Sequence, residues 1–288
     1  LTFSVSGLGL VNGDQLTGAL ATAANGTSGV GTFAITQGSL AASANYALTF
    51  VDGLLTITPR ALTVTANDLS RIYGNANPAL TFTVGGLGLV NGDQLTGALA
   101  TAANVTTGVG TFAITQGTLV ASANYALTFV SGGLTITPRP ITVTADNQSK
   151  IYGNANPALT FTVGGLGLVN GDQLTGALAT TANATSGVGT AAITQGTLAA
   201  SANYTLSFLG ASMSITPRPI TVTADNLSKI YGNANPALTF TIGGLGLVNG
   251  DQLTGALTTA ANATTGVGTV AITQGTLAAS ANYTLSFL

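Results

Sequence analysis

The feature that most limits what this chain can fold into is its period. Leu-Thr-Phe stands at Leu1, Leu80, Leu159 and Leu238, so the same text returns every 79 residues without insertion or deletion. A fixed period means an array of equivalent structural units. A period of 79 residues exceeds the roughly 20–50 of a solenoid coil. It suits a small domain that closes its own core. The expectation is a string of modules: a partial one at 1–58 lacking its first strand, complete ones at 59–137 and 138–216, and a partial one at 217–288 lacking its last strand. Read this way, the 288 residues are a window on a longer array.

One period, Pro59 to Thr137, carries the strand pattern. Ala61 to Ala66 alternates, with Leu62, Val64 and Ala66 on one face of a half-buried strand. Leu80, Phe82 and Val84 form a second inward face, which Gly85-Gly86 should end or bulge. Val90-Asn91-Gly92-Asp93 is a turn built on a favoured Asn-Gly pair. Leu95 to Ala103 is ambiguous: Asp93 could cap a short helix, but Gly97 weakens a helix interior, and an extended segment is favoured. Thr111 to Gln116 is a strand, and Tyr125, Leu127 and Phe129 share a further inward face. Ser131-Gly132, with Asp52-Gly53 in the first copy, predicts a hairpin into the strand ending at Thr137. Five or six strands with regular turns predict an all-β module, a small Ig-like β-sandwich, with a β-grasp-like sheet as the alternative. Phe33 and Phe112 become Ala191 and Val270 in later copies. Truncating a central core Phe costs about 3–5 kcal/mol, so this position is expected at the periphery or at a domain contact.

The joints are the second constraint. Thr-Pro-Arg recurs, giving Pro59 and Arg60, then Pro138, Arg139 and Pro140, then Pro217, Arg218 and Pro219. Proline fixes φ and lacks an N–H, so it interrupts a ladder and stiffens a connection. These residues are expected to set the geometry between modules.

Composition excludes most chemistry. Charged residues are 5% of the chain, against about 25% in a typical globular protein. A net charge of −2 leaves neither a basic nucleic-acid footprint nor a polybasic membrane patch. Mean hydropathy is +0.49, but apolar residues alternate with Thr, Ser, Asn and Gly, and no run nears the roughly 18 of a spanning helix. No membrane insertion is expected. There is no His and no Cys, and all eight acids are Asp. Nucleophilic triads therefore lack their base, and an enzyme is not expected. No cofactor is expected either; Gly86-Leu87-Gly88 lacks the third glycine and the helix of a dinucleotide loop. Calcium takes about 6–8 oxygens, usually with several carboxylates. Asp93 alone, or Asp146 and Asp225 near the joints, falls short, so no metal is expected. An isopeptide bond has only Lys150 and Lys229 to draw on, with Arg71 in the earlier copy and no Glu to assist. Asn-x-Thr sequons such as Asn104-Val105-Thr106 and Asn203-Tyr204-Thr205 read as coincidences of Asn and Thr richness.

The stretch from Leu62 to Val84 (Leu-Thr-Val-Thr-Ala-Asn-Asp-Leu-Ser-Arg-Ile-Tyr-Gly-Asn-Ala-Asn-Pro-Ala-Leu-Thr-Phe-Thr-Val) resembles the bacterial MBG repeat of the YGX type. Its Tyr-Gly pairs are Tyr73-Gly74, Tyr152-Gly153 and Tyr231-Gly232. Gly108 to Leu119 and Asn124 to Thr137 fit the same pattern, and the resemblance covers essentially the whole chain. It implies tandem β-modules in large secreted bacterial surface proteins, adhesins of the filamentous-haemagglutinin kind, without shared catalytic residues. The function it implies is a structural segment of an extracellular fibre or adhesin stalk, secreted or on the cell surface. The partners would be neighbouring modules and, in a filament or sheath, identical chains. The alternative is a set of ligand-binding repeats that recognise glycan or a cell-surface protein.

Overall fold

The computed structural model describes residues 1–288 and consists of strands, turns and extended segments, with no helix. The chain divides into two compact units, Leu1–Thr137 and Pro138–Leu288, and each is described by itself.

The repeat at the end of the first unit shows the full plan. Its strands are β1 (Arg60–Ala66), β2 (Leu69–Ile72), β3 (Phe82–Gly86), β4 (Ala100–Thr101), β5 (Gly110–Thr115), β6 (Tyr125–Val130) and β7 (Gly132–Thr137). They form two sheets, β3-β1-β6 and β2-β7-β5-β4. The inner faces come from period-two alternation of β-branched and other apolar residues with Thr. Leu62, Val64 and Ala66 of β1, Ile114 of β5, and Leu134 and Ile136 of β7 are all buried. Two small sheets and no helix make the module all-β, and the parallel pairing of its first two strands with its last two, flanked by antiparallel ones, keeps the β-grasp-like alternative beside the β-sandwich.

The two sheets are tied by a shared bend. β1 runs parallel to β6, from Arg60 opposite Tyr125 to Thr65 opposite Val130. β2 runs parallel to β7, from Leu69 opposite Leu134 to Ile72 opposite Thr137. The offset is 65 residues in both, so one parallel ladder starts in the first sheet and continues, in register, in the second. The bend is bridged by Asp68, whose Oδ1 accepts from Gly133 N at 2.7 Å. Asn147 does the same for Ser212 N in the third repeat, at 2.9 Å.

This bend corrects the hairpin expected at Ser131-Gly132. β6 and β7 do not pair; they belong to different sheets. Gly132 serves as a corner, because a Cβ there would lie 2.6 Å from Ala66 O. At Asp52-Gly53 there is likewise no hairpin, since Gly53–Ile57 pairs with Gly31–Thr36. The strand expected to include Leu80 starts only at Phe82. It is an edge strand, which leaves Val84 41% exposed rather than inward. Leu95 to Ala103 is extended, as favoured. Gly97 has φ +89° and its Cβ would fall 2.0 Å from Thr118 O, which no side chain could tolerate.

The other repeats follow the plan as far as their strands have partners. In the second unit, Arg139–Ala145 is central to one sheet and Ala211–Thr216 lies inside the other. The first repeat has no counterpart of β1, and the segments matching β3 and β6 (residues 3–7 and 46–51) form no strand. The fourth has no counterpart of β7, and there the β5 counterpart shrinks to Ile272–Thr273.

The Phe/Ala/Val position lies on the inner side of β5 and is half-buried at Phe33, Phe112 and Ala191. Its cross-strand neighbour changes with it. Phe33 faces Leu55 and Phe112 faces Leu134, but Ala191 faces Met213. Met213, the chain's single methionine, is 0% exposed. An unbranched thioether fills the space that the smaller partner leaves.

Candidate functional site at the joint between repeats

The second unit contains one complete joint, between the third and fourth repeats. Thr216 ends one strand, Pro217 is an exposed single-residue break, and Arg218 begins the next strand. Pro219 follows inside a central strand, where a missing N–H would normally leave a carbonyl unmet. Leu245 N donates to Pro219 O at 3.1 Å, which places the two residues opposite each other. Leu245 O is met instead by the Arg218 guanidinium, with Nη2 at 2.6 Å. Arg139 treats Leu166 O in the same way beside Pro140, with Nη2 at 2.6 Å. The Pro-Arg-Pro text is thus a central strand whose arginine caps the carbonyl opposite the following residue, proline here and Ala61 in the first unit.

Arg218 also reaches across the joint. Nε donates to Gly246 O at 2.9 Å within its own repeat. Nη1 donates to Tyr152 O at 3.2 Å and Asn154 Oδ1 at 3.1 Å in the preceding repeat. Arg60 holds the corresponding carbonyls, Gly88 O and Leu87 O, in the first unit.

Tyr152 and Gly153 meet the base of the fourth repeat. Tyr152 is 4% exposed, and its ring lies edge-on to Tyr283 with centroids 5.5 Å apart. Its hydroxyl donates to Asp251 Oδ2 at 2.9 Å, and Tyr283 donates to the same oxygen at 2.7 Å. The Tyr283 hydroxyl in turn accepts from Val248 N at 3.0 Å. Burial, joined by the Asp251 carboxylate, pushes the Tyr283 phenol above its ordinary range despite an opposing backbone hydrogen bond. Gly153 is required twice: its φ is +83°, and a Cβ would sit 2.4 Å from the Val248 side chain. Val248-Asn249-Gly250 presents this surface through a tight turn, with φ of +58° at Asn249 and +79° at Gly250. Asn249 Nδ2 donates back to Ala184 O at 3.3 Å, and Asn282 Oδ1 accepts from Val188 N at 2.9 Å. One buried cluster runs through the joint, joining Ala145, Tyr152, Ile193, Met213 and Ile215 to Ile220 and Tyr283.

Parts of this arrangement recur in the first unit, where Asn124 Oδ1 accepts from Val30 N at 2.9 Å and Tyr125 donates to Asp93 at 2.7 Å. Tyr73 is 3% exposed and Gly74 has φ +80°. Pro59 and Pro138 are exposed breaks between strands. In the fourth repeat Tyr231 is 66% exposed, and a Cβ on Gly232 would meet nothing within 4 Å. Within the second unit, the Tyr-Gly pair that meets a neighbouring repeat is Tyr152-Gly153.

Asp146 and Asp225 do not face the joint. Each follows its central strand at the bend, with its N–H donating to Thr160 O or Thr239 O. The carboxylate at the joint is Asp251. In the sequence, Val248 and Asp251 are legible only through their counterparts Val90 and Asp93, as a turn and an isolated carboxylate, and nothing there marks them or Asn282 as joint residues, although each has an identical counterpart in every copy. Lys150 lies buried against the backbone carbonyls of Asn154 and Asn183 rather than against a side-chain amide.

A search of the curated proteins and a search of the solved structures each gave no match. A family model does match, four times: the MBG domain (YGX type), over residues 1–56, 62–135, 141–214 and 220–288. MBG repeats are associated with extracellular proteins, and no helix here is long and apolar enough to cross a membrane. With its Tyr-Gly pairs and all-β repeats accounted for over nearly its whole length, the chain belongs to the MBG domain family of the YGX type, as four tandem repeats.

Proposed function

We propose that this chain is a non-catalytic spacer segment of an extracellular bacterial fibre or adhesin stalk of the filamentous-haemagglutinin kind. One observation carries the reading: a buried core, a shared carboxylate and a bridging arginine join the third repeat to the fourth. A tether needs no such joint, whereas a spacer that holds its length does. The composition supports it, since a chain without His, Cys or Glu has few groups for catalysis. Small-angle scattering on arrays of increasing repeat number tests it. The longest dimension should grow in proportion to repeat number, and a compact globule would refute it.

The low charge favours lateral association of identical chains into a filament or sheath, because little repulsion keeps neighbours apart. Sedimentation at rising concentration should show salt-insensitive assembly, and persistent monomers would exclude it. A competing reading has the repeats grip glycan. Its support is the exposed hydroxyl surface of the three-stranded sheet, with Thr162, Thr205 and Ser207 in the third repeat. Glycan binding that rises with repeat number would favour it.

A further inference from the structure

The sequons divide into two groups once the fold is known. Asn203-Tyr204-Thr205 and Asn282-Tyr283-Thr284 have no equivalent in the first two copies, where Ala replaces Thr. Their middle residues, Tyr204 and Tyr283, are buried, and Asn282 is engaged at the joint. Asn147-Gln148-Ser149 has its amide oxygen committed to the bend. None of these presents a free acceptor. Asn226-Leu227-Ser228, the counterpart of Asn147-Gln148-Ser149, is exposed but has no equivalent in the second copy, where Asp68 stands at the Asn position.

The other group stands apart. Asn25-Gly26-Thr27, Asn104-Val105-Thr106, Asn183-Ala184-Thr185 and Asn262-Ala263-Thr264 fall at one exposed turn in all four repeats. The middle residue varies, and the hydroxyl residue after the triplet alternates between Ser and Thr, yet Asn and the Thr two residues on never change. In each turn the Thr hydroxyl donates to Asn Oδ1 at 2.8–2.9 Å, and the Thr N–H donates to the same oxygen at 2.9–3.0 Å. The Asn carbonyl accepts from the backbone N–H three residues on, at 3.0–3.1 Å. In three of the copies that carbonyl is also held by a cation, Arg71, Lys150 or Lys229. Each amide oxygen is saturated, while Nδ2 makes no hydrogen bond and the residue is exposed. A turn alone needs only the backbone N–H. The unvarying hydroxyl is what an Asn-x-Thr acceptor requires beyond that.

We propose that Asn25, Asn104, Asn183 and Asn262 are N-glycosylation acceptors, one per repeat. A separate transferase would bring a sugar activated as a nucleotide or lipid diphosphate. Asn Nδ2 forms the bond to the anomeric carbon, the bond from that carbon to the diphosphate oxygen breaks, and the diphosphate leaves with the electron pair. The amide proton passes to a base of the transferase. The hydroxyl on Oδ1 polarises the amide and makes that N–H more acidic. Sugars at a 79-residue spacing would also supply the hydration that a nearly uncharged surface lacks. The proposal does not depend on the stalk reading.

The test is peptide mapping by mass spectrometry of the full chain recovered from the cells that make it. The expected result is sugar on Asn25, Asn104, Asn183 and Asn262, with Asn147, Asn203, Asn226 and Asn282 unmodified. Thr106→Ala should abolish modification at Asn104 alone, and Thr106→Ser should retain it. Unmodified acceptors at all four turns, or sugar confined to Asn203 and Asn282, would overturn the proposal. So would a Thr106→Ala variant that melts at a lower temperature while its sugar content stays the same.

Discussion

At the scale of single residues, the joint rests on a few atoms that tolerate no addition. Gly153→Ala should destabilise the second unit through two effects. Left-handed backbone costs a non-glycine residue about 1–2 kcal/mol, and the clash with Val248 adds about 1–3 kcal/mol. Gly232→Ala has the same backbone problem, φ +91°, but no neighbour to meet, so only the first effect applies. Denaturant titration of the two variants separates the contact from the conformation. The Tyr283 phenol gives a pH signature. Its folded value lies above the free value of about 10, so its contribution is complete below that pH and is lost as pH rises through the folded value. The melting temperature should fall in alkaline solution, and Tyr283→Phe should flatten that fall.

At the scale of elements, the central strand organises its neighbours. Tyr125–Val130 and Tyr204–Leu209 each pair along a central strand, whereas residues 46–51, with nearly the same sequence, have none and form no strand. Hydrogen exchange should therefore be slow across the first two segments and fast across the third. Equal protection would refute this dependence. The Ala191–Met213 pair makes a second case. Ala191→Phe against the unchanged Met213 should destabilise by about 1–3 kcal/mol through overpacking. Adding Met213→Leu, which restores the pairing seen at Phe112 and Leu134, should recover much of the loss in a double-mutant cycle. The alternation of Leu62, Val64 and Ala66 and the Asn91-Gly92 turn were readable in the sequence because both are local. The corner at Ser131-Gly132 was not. A Gly after a strand signals a hairpin equally well, and only the partner 65 residues away decides which sheet receives the next strand.

At the scale of the whole molecule, the period foretold an array, and the Tyr-Gly pairs pointed to its family. The sequence could not say what those pairs do, because their partners Val248 and Asp251 lie in the next repeat. Folding of adjacent repeats should accordingly be coupled, with stability as a sum of repeat and interface terms. The central claim is that the joint fixes one repeat against the next. Since the chain has no Cys, spin labels at Thr162→Cys and Thr241→Cys, equivalent exposed sites of the third and fourth repeats, can report on it without background. Pulsed electron spin resonance should give one narrow distance distribution for the otherwise native chain. With Tyr152→Ala and Arg218→Ala added, the distribution should broaden. A broad distribution in the native joint, or one that stays equally narrow without Tyr152 and Arg218, would contradict the account.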